Sequence, residues 1–378
     1  MSHPTSIEQS IQSHIWADRL RNLATVLVIA IHVAGPVAQG NTDYHTSYWW
    51  AGNLWDSFAR PSVPLFVMLS GFLLLGKDYP LGNFLKRRFS RVVIPALFWM
   101  TVFSLYNHLA TNEPATLGDA LRRVVENEVH YHLWFIYLII GLYLTYPILR
   151  PWVRGATERD YRYFFVLCII GTWLYKILYQ FFDIGIGIYM ELFTNEVGNF
   201  VLGYYLGSKI VGSSSITRRS LGEGGGSGQD EEEAGLIAPW PFSRRKMIFG
   251  ALMMIVLGTA VTAYGTYWAS ISYGGKFHPY FYDYLTPNVG IAAIGWFILA
   301  QQCFHNTHLV DFEKEFASAS FGIYFIHVMV LDWWSRTGYW SYKYHPALCI
   351  PVVLCVVVLT SFLGVVLLRA LPGGKKVT

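Results

Sequence analysis

Apolar positions in this chain gather into long runs. Six stretches carry no Asp, Glu, Lys or Arg: Asn22–Thr42, Val92–Asn112, Val129–Leu149, Met247–Gly275, Tyr284–Val310 and Tyr344–Leu368. Each is 21 residues or longer, and a helix needs about 20 residues to cross the hydrocarbon core of a bilayer. Shorter or interrupted runs at Leu54–Gly76, Tyr163–Phe182, Leu192–Ser208 and Phe316–Trp334 add four more. The pattern predicts an all-α, polytopic membrane protein with about ten transmembrane helices, placed at roughly 21–39, 54–76, 89–106, 132–149, 162–182, 192–209, 246–268, 285–304, 317–334 and 346–369. The whole chain, 1–378, reads as one membrane domain.

Composition agrees. Of 378 residues 53% are hydrophobic and only 14% charged, against about 25% charged in soluble domains, which excludes the soluble, collagenous and disulfide-scaffold classes. The four cysteines all lie in apolar stretches without metal or redox spacing and read as inert buried thiols. The first span lacks a basic flank ahead of Arg19 and is too long for a cleaved signal, so it reads as a retained anchor. With the N-terminus in the cytoplasm, 21 of the 28 basic residues fall on cytoplasmic segments and helix ends, and 6 fall opposite. The positive-inside rule therefore puts both termini in the cytoplasm. Residues 212–243, Gly-rich and then acidic, have nothing to bury and read as a flexible cytoplasmic loop. Tyr48, Trp49 and Trp50, with Tyr280, Phe281 and Tyr282, read as interfacial aromatic belts or as platforms for a sugar ring.

Ionisable groups inside the spans are expensive, and each is a site candidate. Arg21 and His32 lie 11 residues apart, about 1100° of helix, so they share one face with Thr25 and Val28. His32 then sits about 16 Å deeper than Arg21. A neutral-pH base deep in the bilayer is thereby linked to a cation at the cytoplasmic edge, the alternative being a core histidine bonded to a backbone carbonyl. Arg60 opens a Pro-interrupted stretch and needs a polar environment, whether a substrate or a structural ion pair with Glu196 or Asp56. Arg88 and Arg91 are i,i+3 neighbours suited to phosphate, or else topological charge. Ser320, Tyr324 and His327 share a helix face, and Tyr131-His132-Leu133-Trp134-Phe135 opens the fourth span. Ser70-Gly71 suggests close helix packing. No Walker loop, dinucleotide fingerprint, metalloprotease motif, nucleophile elbow or nucleic-acid pattern is present.

Together these clusters resemble acyltransferase family 3, the integral-membrane acyltransferases of surface polysaccharides. The matching features are Arg21-x10-His32, Arg60…Pro64-Leu-Phe…Ser70-Gly71-Phe72, Arg88-x-x-Arg91, His132-Leu-Trp134-Phe135 and Ser320-x-Gly322-Ile-Tyr-x-x-His327. The chain is most similar to members that O-acetylate enterobacterial common antigen or exported polysaccharides. The loop at 212–243 is outside that pattern, and no hydrolase-like domain is fused. The resemblance implies transfer of an acyl group, acetyl above all, from cytoplasmic acyl-CoA to a sugar hydroxyl of a polysaccharide or its lipid-linked precursor, in a bacterial inner membrane. It implies Arg21, Arg88 and Arg91 on the CoA phosphates and His32 as general base or acyl-carrying nucleophile. Arg60 would serve the oxyanion or the acceptor, and His132, Trp134, Tyr324 and His327 the sugar. Acetyl-CoA as donor, no metal, membrane lipids around the spans and a compatible homo-oligomer complete the expectation. A proton-coupled secondary transporter is the rival reading, and a membrane sensor or scaffold a second.

Overall fold

The computed structural model describes residues 15–111, 116–187, 193, 195–220, 241–304, 310–336 and 344–378. Among them regular structure is entirely helical. In order the helices are α1 (Ile15–Gly40), α2 (Ser47–Ala59), α3 (Ser62–Leu75), α4 (Leu81–Arg88), α5 (Ile94–Thr111), α6 (Leu117–Val125) and α7 (Trp134–Gly155). They continue with α8 (Glu158–Cys168), α9 (Tyr175–Phe182), α10 (Val197–Ser220), α11 (Arg244–Ser272), α12 (Pro287–Cys303), α13 (Asp311–Arg336) and α14 (Pro346–Ala370). Helices dominate because only a helix satisfies every backbone group within its own segment when no water is at hand.

Eight stretches are long and apolar enough to cross a membrane: Ile15–Gly40, Ser47–Leu75, Leu81–Leu109, Tyr131–Gly155, Glu158–Phe182, Arg244–Ser272, Asp311–Arg336 and Pro346–Ala370. The two remaining sequence-predicted spans, 192–209 and 285–304, fall on α10 and α12. α12 has only 17 residues, and the window of α10 is diluted by polar residues toward Ser220. Among the described residues, eight helices therefore meet the length and composition needed to cross a membrane.

Several boundaries move for identifiable reasons. The second span starts at Ser47, not near 54, because Thr46 caps α2 by accepting from the Trp49 N–H. Trp49 is consequently no belt residue: it is fully buried and its Nε1 donates to the Ala38 carbonyl at 2.8 Å. The span then breaks at Arg60–Pro61 into α2 and α3, since prolines cannot donate to the preceding turn. A π-helical turn, Phe89–Val93, joins α4 to α5 just ahead of Pro95, and a second, Ile169–Leu174, joins α8 to α9. α10 continues to Ser220, into the segment read as loop, and residues 221–240 of that segment lie outside the described residues.

The chain divides into two compact units. The first comprises Met1–Gly76, Leu149–Ala317 and Tyr342–Leu354, and the second Lys77–Ile148, Ser318–Ser341 and Cys355–Thr378. In the first, α3 and α10 cross with their backbones touching. A Cβ on Gly71 would lie 1.7 Å from the Phe200 carbonyl oxygen, and one on Gly203 would lie 1.9 Å from that of Met68. The Ser70-Gly71 signal is thus close packing of the small-residue kind. In the second unit, Trp99, Met100 and Phe103 of α5 pack with Ile136 of α7 and Phe325 of α13, and the Trp99 and Phe325 rings stack at 5.7 Å.

Candidate active site

In the first unit, α1 carries Arg21 in its second turn and His32 farther along. Arg21 is held by Asp18, Nη1 to Oδ1 at 2.6 Å, and its carbonyl accepts from the Thr25 hydroxyl at 2.9 Å. Arg19 beside it forms an ion pair with Glu313 at 2.9 Å, and Asn22 donates to the Glu313 carbonyl, which pins the start of α1 to α13. Thr25 and Val28, on the stripe between Arg21 and His32, are buried, and His32 is half-buried. One turn on stands Pro36, inside the helix. It has no N–H to give the His32 carbonyl, so the helical hydrogen bond from position 36 is not made there.

Arg60 sits at the α2–α3 break with only 7% of its surface exposed. Its Nε and Nη2 bind the two Asp56 carboxylate oxygens, each at 2.7 Å. Nη1 reaches the Tyr282 carbonyl at 3.3 Å, and the guanidinium lies 4.1 Å from the centre of the Tyr282 ring and 5.8 Å from that of Tyr284. The same knot includes Asn53, whose side chain donates to the Ala263 carbonyl at 2.9 Å and accepts from the Tyr282 hydroxyl at 2.7 Å. A bidentate carboxylate neutralises the guanidinium and takes two of its five N–H donors, and the Tyr282 carbonyl accepts a third. Of the sequence alternatives for Arg60, the geometry is that of the structural ion pair with Asp56. Arg60 ties the α2–α3 break to the loop 280–284, and Asn53 ties α2 to α11.

The second unit holds a histidine cluster. His132, in the 3₁₀ turn Tyr131–Leu133, is buried and lies with its Nδ1 2.8 Å from Nδ1 of His130. One of these nitrogens must donate and the other accept, so the pair shares one proton. The His327 ring, fully buried on α13, stands edge-on to His132 with centroids 5.7 Å apart. Its Nδ1 lies 2.7 Å from the Tyr324 carbonyl, which assigns the Nδ1–H tautomer. The Tyr324 hydroxyl donates to the His132 carbonyl. Phe103 packs against both His130 and His132, and Phe135 against Tyr324. Trp134 is half-buried beside Phe135. His132, Tyr324 and His327 are thus brought together, and His130 joins them. Burial lowers the pKa of His130. His130 was missed by sequence reasoning, although the H-x-H spacing was its signal.

Arg88 and Arg91 do not share one environment. Arg88 ends α4 half-buried, its guanidinium 4.9 Å from the Tyr143 ring and 5.4 Å from that of Phe84. Its Nε is buried without a hydrogen-bond partner among the described residues. Arg91 lies within the π turn and is exposed, as are Lys86 and Arg87. The wider turn breaks the i,i+3 alignment expected of an α-helix.

Comparison with known proteins gives one match. A family model, the acyltransferase domain of acyltransferase family 3, fits residues 14–369, essentially the whole chain. No curated protein and no solved structure matches. The eight apolar helices and this full-length match agree on a membrane acyltransferase, and the chain belongs to acyltransferase family 3.

Proposed function

We propose that this protein is a membrane O-acetyltransferase that moves an acetyl group from cytoplasmic acetyl-CoA to a sugar hydroxyl of a surface or exported polysaccharide, or of its lipid-linked precursor. The observation that carries this reading is α1 in a chain of this family: Arg21 at one end, a buried stripe, and a half-buried His32 one turn before Pro36. His32 takes the proton of the sugar hydroxyl as its oxygen bonds to the acyl carbon. The carbon–sulfur bond breaks, and the thiol leaves with a proton, so the products are the acetyl ester and free CoA. Arg88, with its guanidinium braced on Tyr143 and an orphaned Nε, and the exposed Arg87 and Arg91, supply cations suited to CoA phosphates. Arg21, at the start of α1 in the other unit, is a further cation assigned to the donor. His132, Trp134, Tyr324 and His327 are assigned to the acceptor, where stacked aromatic rings with polar edges suit a sugar.

In this reading ten helices cross a bacterial inner membrane with both termini in the cytoplasm, α10 and α12 completing the eight apolar spans. The test is purified protein in vesicles with radiolabelled acetyl-CoA, and analysis of polysaccharide O-acetylation in a deletion strain. Label on the polysaccharide that is lost with the gene is the expected result. Unchanged acetylation, with solute uptake lost instead, would replace the enzyme by a transporter.

A further inference from the structure

α6 joins two spans of the second unit, α5 and α7, and none of its residues is buried. At about 100° per residue, Ala120, Val124, Leu117, Leu121 and Val125 fall in one arc of about 140°. Gly118, Arg122, Asp119 and Arg123 occupy the opposite side. Within the apolar arc the structure separates two edges. Ala120 and Val124 are half-buried, Val124 packing on the cluster around Phe103, with its carbonyl accepting from the Tyr137 hydroxyl of α7. Leu117, Leu121 and Val125 are instead 77%, 58% and 81% exposed. So α6 rests one edge on the bundle and turns a second, purely apolar edge away from it.

What covers that edge follows from its neighbours. α5 belongs to a span only one third buried, and its last turns expose Leu105 and Leu109, which a membrane-spanning helix must give to lipid. Leu109 precedes Leu117, the first exposed leucine of α6, by eight residues of chain. The helix is also capped at both ends. Thr116 and Asp119 form a reciprocal cap, and Asn127, at φ 59°, stops the helix while the Glu128 N–H closes back on the Arg123 carbonyl at 2.8 Å. Asn107 of α5 then holds the Val129 carbonyl at 2.9 Å.

We propose that α6 is a membrane-docking helix that lies in the plane of the bilayer interface, with Leu117, Leu121 and Val125 among lipid acyl chains. Arg122 and Arg123 flank the apolar arc on its two sides, where their stems run along the apolar boundary and their charges reach the phosphates. Docking also fixes the depth of the His130–His132 pair, which begins three residues beyond Asn127.

The test places an environment-sensitive fluorescent amino acid at position 121 or at position 123 of the full chain in phosphatidylcholine vesicles. Both positions are exposed, so folding is not at stake. Bromine-labelled lipid should quench position 121 at least about twofold more than position 123, and aqueous iodide should show the reverse order. Equal access of iodide to both positions would overturn the proposal. So would position 121 shielded from both quenchers, since a protein surface and not lipid would then cover it.

Discussion

His32 carries the chemistry in the proposed function, so its replacement is the sharpest test of it. His32→Ala should lower acetyl transfer by at least about 10²-fold, the lower end of general-base contributions, while the protein still inserts and binds CoA. Retention of more than about a tenth of the activity would return His32 to a structural role. Arg60 makes the opposite prediction. Because Asp56 is its buried counter-ion, Asp56→Ala leaves an uncompensated guanidinium, a loss of about 3–5 kcal/mol when one partner of a buried pair is removed. The double variant Asp56→Ala, Arg60→Met should melt above Asp56→Ala alone in detergent. A double variant no more stable than the single one would mean that the uncompensated guanidinium is not what destabilises Asp56→Ala. His130 provides a pH dependence. Burial lowers its pKa in the folded protein, so the unfolded state binds the proton more readily. Its contribution to stability is complete above about pH 6.5 and is lost as pH falls toward the lower folded value. Melting temperature between pH 7 and pH 5 should fall less steeply in His130→Gln than in the natural protein.

Among the helices, the α3–α10 crossing and the α4–α5 junction make distinct predictions. At Gly71 a methyl group meets the Phe200 backbone, which has no rotamer to escape into. Gly71→Ala must force the helices apart, at a cost of about 1–3 kcal/mol or more, read as a drop in melting temperature. Gly82, whose Cβ direction is open, should accept Ala without such loss. At the junction, the π turn splits the arginines. Replacing both Arg88 and Arg91 by Ala should raise KM for acetyl-CoA, and Arg88 alone should account for most of the rise. Lys at position 88 should not restore it, because an ammonium cannot lie flat on Tyr143 as a planar guanidinium does. Unchanged donor affinity in the folded double variant would leave these residues as topological charge.

Across the membrane as a whole, the proposed orientation, which rests on the asymmetry of basic residues, has 212–243 in the cytoplasm and the α11–α12 connection outside. A cysteine at Ser272, which is exposed at the end of α11, should react with an impermeant thiol reagent in intact cells. A cysteine at Gly225 should react only after the cells are opened. The reverse pattern would invert the orientation and remove the cytoplasmic donor from the proposed function.

The membrane class and the approximate position of the long helices were legible in the sequence, since a helix in lipid satisfies its backbone locally and needs only a long apolar run, whereas the short α4 and α6 were not. The family was legible for a related reason: its motifs are short, and each lies within one helix or turn. Partnership was not. The i,i+4 pairing of Arg60 with Asp56 is local, but that Arg60 also meets the Tyr282 carbonyl, and that Trp49 is core and not belt, depends on which segment passes which. That His130 shares a proton with His132 depends on an irregular backbone around a 3₁₀ turn, where helical angles do not apply. The same holds for Arg88 and Arg91, whose expected convergence assumed an unbroken α-helix ahead of Pro95. Sequence period fixes a side chain's direction only while the helix stays regular, and only tertiary packing decides what it meets.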